Sequence, residues 1–172
     1  MLKRPKTILT SRLILKELED KDEESLLNIV LEKEVNITYM FPDLNTKEER
    51  KTFFEKLKKL TSSDRFVYGI FLQDQVIGFL NEVYKEEDSI EIGYFINKEY
   101  WGNGYATEAF EATINELFKM GYQEVEAGFF EGNIASKRVM EKCGLKKCDK
   151  KEEIEYRGKT HKVIYYSIKK EA

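Results

Sequence analysis

Trp101-Gly102-Asn103-Gly104-Tyr105-Ala106-Thr107 joins a strand-like alternation to a long helical repeat. Upstream, Ser89 to Asn97 alternates through Ile90-Glu91-Ile92-Gly93-Tyr94-Phe95-Ile96, the period of a β-strand. Downstream, Gly104 to Met120 places Ala106, Ala109, Phe110, Thr113, Ile114 and Leu117 on one helical face, and Gly121 is suited to close that helix. Glycines between such elements permit a tight turn and a close backbone approach. The first N–H groups of the helix have no partner inside it, and the helix dipole favours an anion there. The turn therefore predicts a phosphate cradle. It has no P-loop lysine and is shorter than the Gly-x-Gly-x-x-Gly fingerprint, and on the residues alone a plain tight turn is the commoner reading of such a segment.

Working outward, Arg12 to Leu18 reads as a first strand, and Asp20 and Asp22 offer caps to a helix carrying Leu26, Leu27, Val30 and Leu31. Val35 to Leu44 lacks a period, contains Pro42 and reads as a loop centred on Tyr39, Met40 and Phe41. Thr46-Lys47-Glu48-Glu49 is a capping-box sequence, and the helix behind it presents Phe53, Phe54, Leu57 and Leu60. Arg65 to Leu72 and Val76 to Tyr84 flank a short Gln73-Asp74-Gln75 loop, and Lys85 to Asp88 turns the chain into Ser89 to Asn97. Short connections imply an antiparallel meander. After the long helix come a strand over Tyr122 to Phe130, a helix from Asn133 to Cys143, and a hairpin of Leu145 to Glu155 with Thr160 to Lys169.

The order β-α-α-β-β-β-α-β-α-β-β predicts one α+β domain over residues 1–172. Its sheet is mixed, mostly antiparallel, with about seven strands and helices on both faces. The strands at 89–97 and 122–130, joined through a helix, are expected to lie parallel by a right-handed crossover. With 29 basic and 32 acidic residues the net charge is −3; no overall positive field draws nucleic acid, and no basic-aromatic stripe argues for it. No apolar run reaches the roughly 18 residues of a membrane span, and the basic start has no apolar segment behind it. Cys143, Cys148 and His161 show no zinc spacing. No metal is expected, free thiols are, and a cytoplasmic location follows from them. A homodimer is compatible with the composition and required by none of it.

Beyond these readings, the cradle segment resembles the acetyl-CoA motif Arg/Gln-x-x-Gly-x-Gly/Ala of the GNAT N-acetyltransferase superfamily. Trp101 stands at the Arg/Gln position, Gly104 at the first Gly and Ala106 at the Gly/Ala position. The longer string Tyr100 to Ala109, with Thr10-Ser11-Arg12-Leu13-Ile14-Leu15 near the start, looks like the RimJ/RimL branch that acetylates ribosomal-protein N-termini. A second block, Asn133 to Leu145, is similar to the family's Asn-x-x-Ser block. The resemblance implies a GNAT-like fold in which the strands at 89–97 and 122–130 splay apart to admit acetyl-CoA. It implies cofactor contacts from Phe95, Ile96, Trp101, Gly102, Asn103, Gly104, Tyr105, Ala106, Thr107, Asn133 and Ser136. Asn133 is equally suited to cap its helix.

For transfer to an amine, a base must take a proton from a group that is largely protonated at neutral pH. Glu91, an acid within an apolar strand, is the candidate base, acting directly or through water; a solvated strand residue is the alternative. Many family members have a tyrosine where this chain has Met140, so Ser136 is the candidate acid toward the leaving thiolate; a small helix residue packed beside the cofactor is the alternative. Tyr39, Phe41 and Tyr94 are expected to face the acceptor, a protein N-terminus or a small-molecule amine. Cys143 has no histidine neighbour in sequence, so a covalent route is not expected. The alternative function is a catalytically idle module that binds CoA as a sensor or partner.

Overall fold

Hydrophobic alternation and glycine punctuation place the elements close to where the sequence predicts them. A computed structural model describes all 172 residues. Its strands are β1 (Ile8–Leu9), β2 (Leu13–Lys16), β3 (Val67–Leu72), β4 (Gln75–Lys85), β5 (Ser89–Ile96), β6 (Glu124–Phe130), β7 (Lys146–Tyr156) and β8 (Lys159–Lys169). Its helices are α1 (Glu23–Leu31), a short α2 (Lys33–Asn36), α3 (Lys47–Thr61), α4 (Tyr105–Met120) and α5 (Ile134–Lys142). The strands form one eight-stranded sheet in the order β1-β2-β3-β4-β5-β6-β8-β7. The strand beyond the expected seven is β1, whose two residues pair with Ile14 and Leu15 of β2. Two residues are too few to display a period.

The N-terminal helices show where local rules hold and where packing overrides them. Thr46 caps α3 as expected, its hydroxyl accepting from the Glu49 N–H at 3.1 Å. Asp22 does not cap α1; its carboxylate accepts from the Glu19 N–H at 2.8 Å, bracing a 3-10 turn over Asp20–Asp22. The buried stripe of α1 is Leu26, Ile29 and Val30, while Leu31 is exposed. The expected loop at 35–44 contains the end of α2, and Phe41 folds inward rather than facing solvent.

The sheet separates two cores. Ile90, Ile92 and Ile96 of β5 join Ala109, Phe110, Ile114 and Leu117 of α4 on one face. Phe95 joins Leu26, Ile29, Phe54 and Leu57 of α1 and α3 on the other. Alternation along β5 thus sends Tyr94 toward α4 and Glu91 toward the opposite face. Gly78 makes the close β4–β5 approach: it lies opposite Ile96, and a Cβ there would come within 2.4 Å of the Phe95 carbonyl oxygen.

The parallel pairing of β5 with β6 is short. It runs Ser89↔Glu124, Ile90↔Val125 and Glu91↔Glu126, then stops, although the strands continue to Ile96 and Phe130. From Glu91 onward they diverge, and the β6-facing edge of β5 has no strand partner. On its other edge β5 meets an irregularity in β4 between Glu82 and Tyr84, opposite Ile92 and Glu91. An extra residue of this kind bends a strand and re-aims its neighbours.

Candidate functional site

At the end of β5 the chain makes a 3-10 turn over Lys98–Tyr100 and enters the glycine segment. Gly102 and Gly104 have φ of +78° and +79°, a region that side chains with a Cβ enter at a cost of about 1–2 kcal/mol. A Cβ on Gly102 would meet nothing within 4 Å, so the glycine is required by conformation and leaves open space above the turn. The first intrahelical bond of α4 runs from the Glu108 N–H to the Gly104 oxygen at 3.0 Å. The N–H groups of Tyr105, Ala106 and Thr107 precede it and point out of the helix end. Trp101 is held by its indole N–H, which donates to the Ile96 oxygen at 2.8 Å. Asn103 turns its amide inward, donating to the Tyr100 and Trp101 oxygens.

The turn is braced from the N-terminus of the chain. Arg12 donates from Nη2 to the Asn103 oxygen at 2.9 Å and from Nε to Glu108 at 2.8 Å. Thr10 donates to the second Glu108 oxygen at 2.6 Å, and the Arg12 guanidinium lies 4.4 Å from the centre of the Tyr105 ring. Glu108 would oppose an anion at the helix start. Burial alone would raise its pKa, but hydrogen bonds from Thr10 and Arg12 and the arginine charge overcome this and hold it below the usual value. Its negative charge is thereby occupied by partners. Local patterning gives no sign of this contact across more than ninety residues.

From the cradle a cavity of about 360 Å³ runs along the free edge of β5. Of the expected cofactor residues, Phe95, Ile96, Trp101, Gly102, Gly104, Tyr105, Ala106, Thr107, Asn133 and Ser136 line it; Asn103 does not. Arg138 and Lys142 of α5 add two cations that sequence reasoning missed. A spacing of four along α5 puts them on one helical face, which was the available signal. Two buried side-chain polar atoms of the chain have no hydrogen-bond partner, Asn133 Nδ2 and Tyr94 Oη. Both residues line this cavity. An unmet buried polar group costs roughly 1–3 kcal/mol, so both atoms point to a ligand. Asn133 also caps α5, its Oδ1 accepting from the Ser136 N–H at 3.2 Å.

On the opposite face a cavity of about 610 Å³ is bordered by Tyr39, Met40, Tyr84, Glu91, Lys150 and Tyr165. Thr38, in the loop after α2, borders both cavities, so they adjoin there. Glu91 is largely covered, with a side-chain exposure of 13%. Burial raises its carboxyl above the usual range, Lys150 pulls it down, and Glu126 and Glu152 push it up again. The Lys150 ammonium lies 3.9 Å from Glu91, 3.2 Å from Glu126 and 4.3 Å from the centre of the Tyr165 ring. Tyr39 donates to Asn81 at 2.6 Å, and burial pushes its phenol up to about 12.

Of the residues expected around the acceptor, only Tyr39 reaches this second cavity. Phe41 is buried, its ring centre 4.9 Å from that of Tyr39 and 5.1 Å from that of Phe95; an aromatic ring gains more by filling the core than by standing at a loop tip. Tyr94 belongs to the groove on the α4 face. The loop at 37–44 is instead latched by the last hairpin: Tyr156 Oη accepts from the Phe41 N–H at 3.2 Å, and Arg157 lies 3.5 Å from Asp43. Burial pushes the Cys143 thiol up to about 12, a protonated group unsuited to nucleophilic attack. His161 stacks on Phe130, ring centres 4.4 Å apart, and lines neither cavity itself. No group of three or more His, Cys, Asp or Glu side chains is placed to hold a metal, and no helix is long and apolar enough to cross a membrane.

Known proteins resemble this chain in sequence and fold. Residues 12–146 match the family model described as an acetyltransferase (GNAT) domain. YnaD of Bacillus subtilis, named an uncharacterized N-acetyltransferase, is 32% identical over 142 residues, 81% of this chain and 82% of its own. Among solved structures, a GNAT-family acetyltransferase from Bacillus anthracis has a TM-score of 0.82 at 27% identity, covering 95% of this chain and 98% of its own. RimL, a ribosomal L7/L12 α-N-protein acetyltransferase in complex with coenzyme A, has a TM-score of 0.81 at 18% identity. The matched regions are 95% of this chain and 97% of RimL, a likeness of fold.

Proposed function

The chain belongs to the GNAT acetyltransferase family and is an N-acetyltransferase, and from that premise we propose that it moves an acetyl group from acetyl-CoA to a primary amine by direct attack. The observation that carries this reading is a pair of unlike cavities, both bordered by β5 and adjoining at Thr38. One has an anion cradle and two unmet hydrogen-bonding groups; the other has a covered carboxylate.

In this reading the diphosphate of acetyl-CoA rests on the N–H groups of residues 102 to 107, with Arg138 and Lys142 available to its other phosphate. The pantetheine arm follows the free edge of β5 at Phe95 and Ile96, as an added strand would, and Asn133 Nδ2 supplies a donor to it. The acceptor enters from the opposite face, past Tyr39. Glu91 takes the proton of its ammonium group, directly or through water, and the neutral amine attacks the thioester carbonyl. Main-chain N–H groups of the free β5 edge are suited to hold the oxyanion. The acceptor is a protein N-terminal α-amine or a small-molecule amine. RimL acts on a protein N-terminus, which favours the former.

The test is thiol release from acetyl-CoA with a panel of amines: peptides with free N-termini, amino acids, polyamines and aminoglycosides. Release that requires an amine is expected. CoA binding without turnover on any acceptor would instead support an idle binding module. Glu91→Gln is expected to lower turnover by about a hundredfold while CoA affinity stays within a few-fold; unchanged turnover removes Glu91 as the base.

A further inference from the structure

Tyr94 poses a problem that the fold leaves unsolved. Its ring packs toward Phe110 of α4, ring centres 5.7 Å apart, and its hydroxyl is buried without a hydrogen-bond partner. Phenylalanine would fill the same space without stranding a polar atom. The Ser136 hydroxyl is near enough to pull the phenol's pKa down against burial, but it makes no hydrogen bond of acceptable geometry to it, and the residue borders the same groove from α5.

The order of groups along β5 says what the hydroxyl awaits. Ile96 lies at the cradle end and Glu91 where β5 and β6 part, and Tyr94 lies between them. A donor molecule whose diphosphate rests on the cradle and whose arm follows the β5 edge brings its thioester past Tyr94 toward Glu91. Alternation puts Tyr94 and Glu91 on opposite faces of the sheet. The amine therefore approaches from the Glu91 side, and the sulfur departs on the Tyr94 side.

We propose that the Tyr94 hydroxyl donates a hydrogen bond to the sulfur of the acyl donor and stabilises the thiolate as it leaves. This rests on the acetyl-transfer reading above. The ammonium proton first leaves through Glu91 to solvent; the neutral amine nitrogen then bonds to the carbonyl carbon, its second proton passes to Glu91, and the electron pair of the broken C–S bond stays on sulfur. Tyr94 keeps its own proton. Burial holds its phenol well above the ordinary value, whereas a thiol ionises near about 8.5, so full proton transfer to the thiolate is uphill. The thiolate is protonated from solvent on release. Tyr94 is thus a hydrogen-bond donor rather than an acid, and it takes the role that the sequence alone assigns to Ser136.

The experiment compares the affinity of CoA with that of desulfo-CoA by calorimetry between pH 6.5 and 9.5, in the full chain and in Tyr94→Phe and Ser136→Ala. These pH limits span roughly two units below and one above the ordinary thiol value. In the unmodified protein the preference for CoA is expected to grow with pH, as bound thiol ionises more readily than free thiol. Tyr94→Phe is expected to lose about tenfold of that preference at the alkaline end and about tenfold in turnover. Its acetyl-CoA affinity should stay within a few-fold, and its ligand-free melting temperature should not fall. Melting and acetyl-CoA binding show that Tyr94→Phe is folded, which separates a lost hydrogen bond from a damaged site. An unchanged pH dependence in Tyr94→Phe, or a loss seen only in Ser136→Ala, overturns the proposal while leaving acetyl transfer intact. A chain that binds no CoA overturns both.

Discussion

Replacing Lys150 with methionine keeps the stem over Tyr165 and removes the ammonium group facing Glu91 at 3.9 Å. Two unit charges at that distance attract by about 1 kcal/mol in a water-like dielectric and by about 4 kcal/mol at an effective dielectric of about 20. The Lys150 side chain is 42% exposed, and its ammonium lies closer to Glu126, at 3.2 Å. Both facts favour the lower figure. Lys150→Met is therefore expected to raise the Glu91 pKa. The sign is fixed: Lys150 favours the ionised carboxylate, whereas burial, Glu126 and Glu152 disfavour it. Titration of the side-chain carboxyl carbons by NMR, with Glu91→Gln for assignment, measures the shift without any acceptor. In the active enzyme the acidic limb of the kcat/KM profile should move upward by the same amount. A Glu91 pKa that stays put or falls in Lys150→Met would refute the electrostatic coupling. A moved titration with an unmoved rate profile would leave the coupling and remove Glu91 as base.

Two further substitutions separate fold from ligand. Asn133→Asp retains an oxygen to accept from the Ser136 N–H and places a favourable charge at the start of α5, but it lacks the Nδ2 donor. Melting should be unchanged and CoA affinity about tenfold weaker; undiminished affinity would confine Asn133 to capping. Gly78→Ala puts a Cβ within 2.4 Å of the Phe95 oxygen and 2.8 Å of Ile96 Cδ1. It should cost about 2 kcal/mol in chemical denaturation, and a midpoint equal to that of the unmodified protein would contradict the register of β4 against β5.

What the sequence discloses about this molecule follows from how local each feature is. The cradle lies in consecutive residues between a strand and a helix, so the turn and its conformational demand are readable from Gly102 and Gly104. The parallel pairing of β5 with β6 follows from an intervening helix, and the last hairpin from the turn at Arg157-Gly158. β1 is too short to carry a period, and the buried stripe of α1 turned from Leu31 to Ile29 because tertiary packing selected it. Lys150 follows a shift of register in β7 between Lys147 and Lys151, which breaks the alternation that would have told its side. The fates of Phe41 and Tyr94 depended on partners brought from distant elements. Nothing near Tyr94 in the chain signals that its hydroxyl lacks a partner; that deficit exists only once α4 and α5 have closed over it.

The contacts of Thr10 and Arg12 with Glu108 and Asn103 have a thermodynamic consequence. They bind the first strands of the sheet to the very turn that would receive an anion, so attachment of the amino-terminal segment and occupation of the turn are linked equilibria. Whatever fixes the turn in its receptive shape also fixes the segment, and by reciprocity a docked segment strengthens anion capture by the same factor. If the turn holds the donor's diphosphate as proposed, the start of the chain takes part in donor affinity through these contacts.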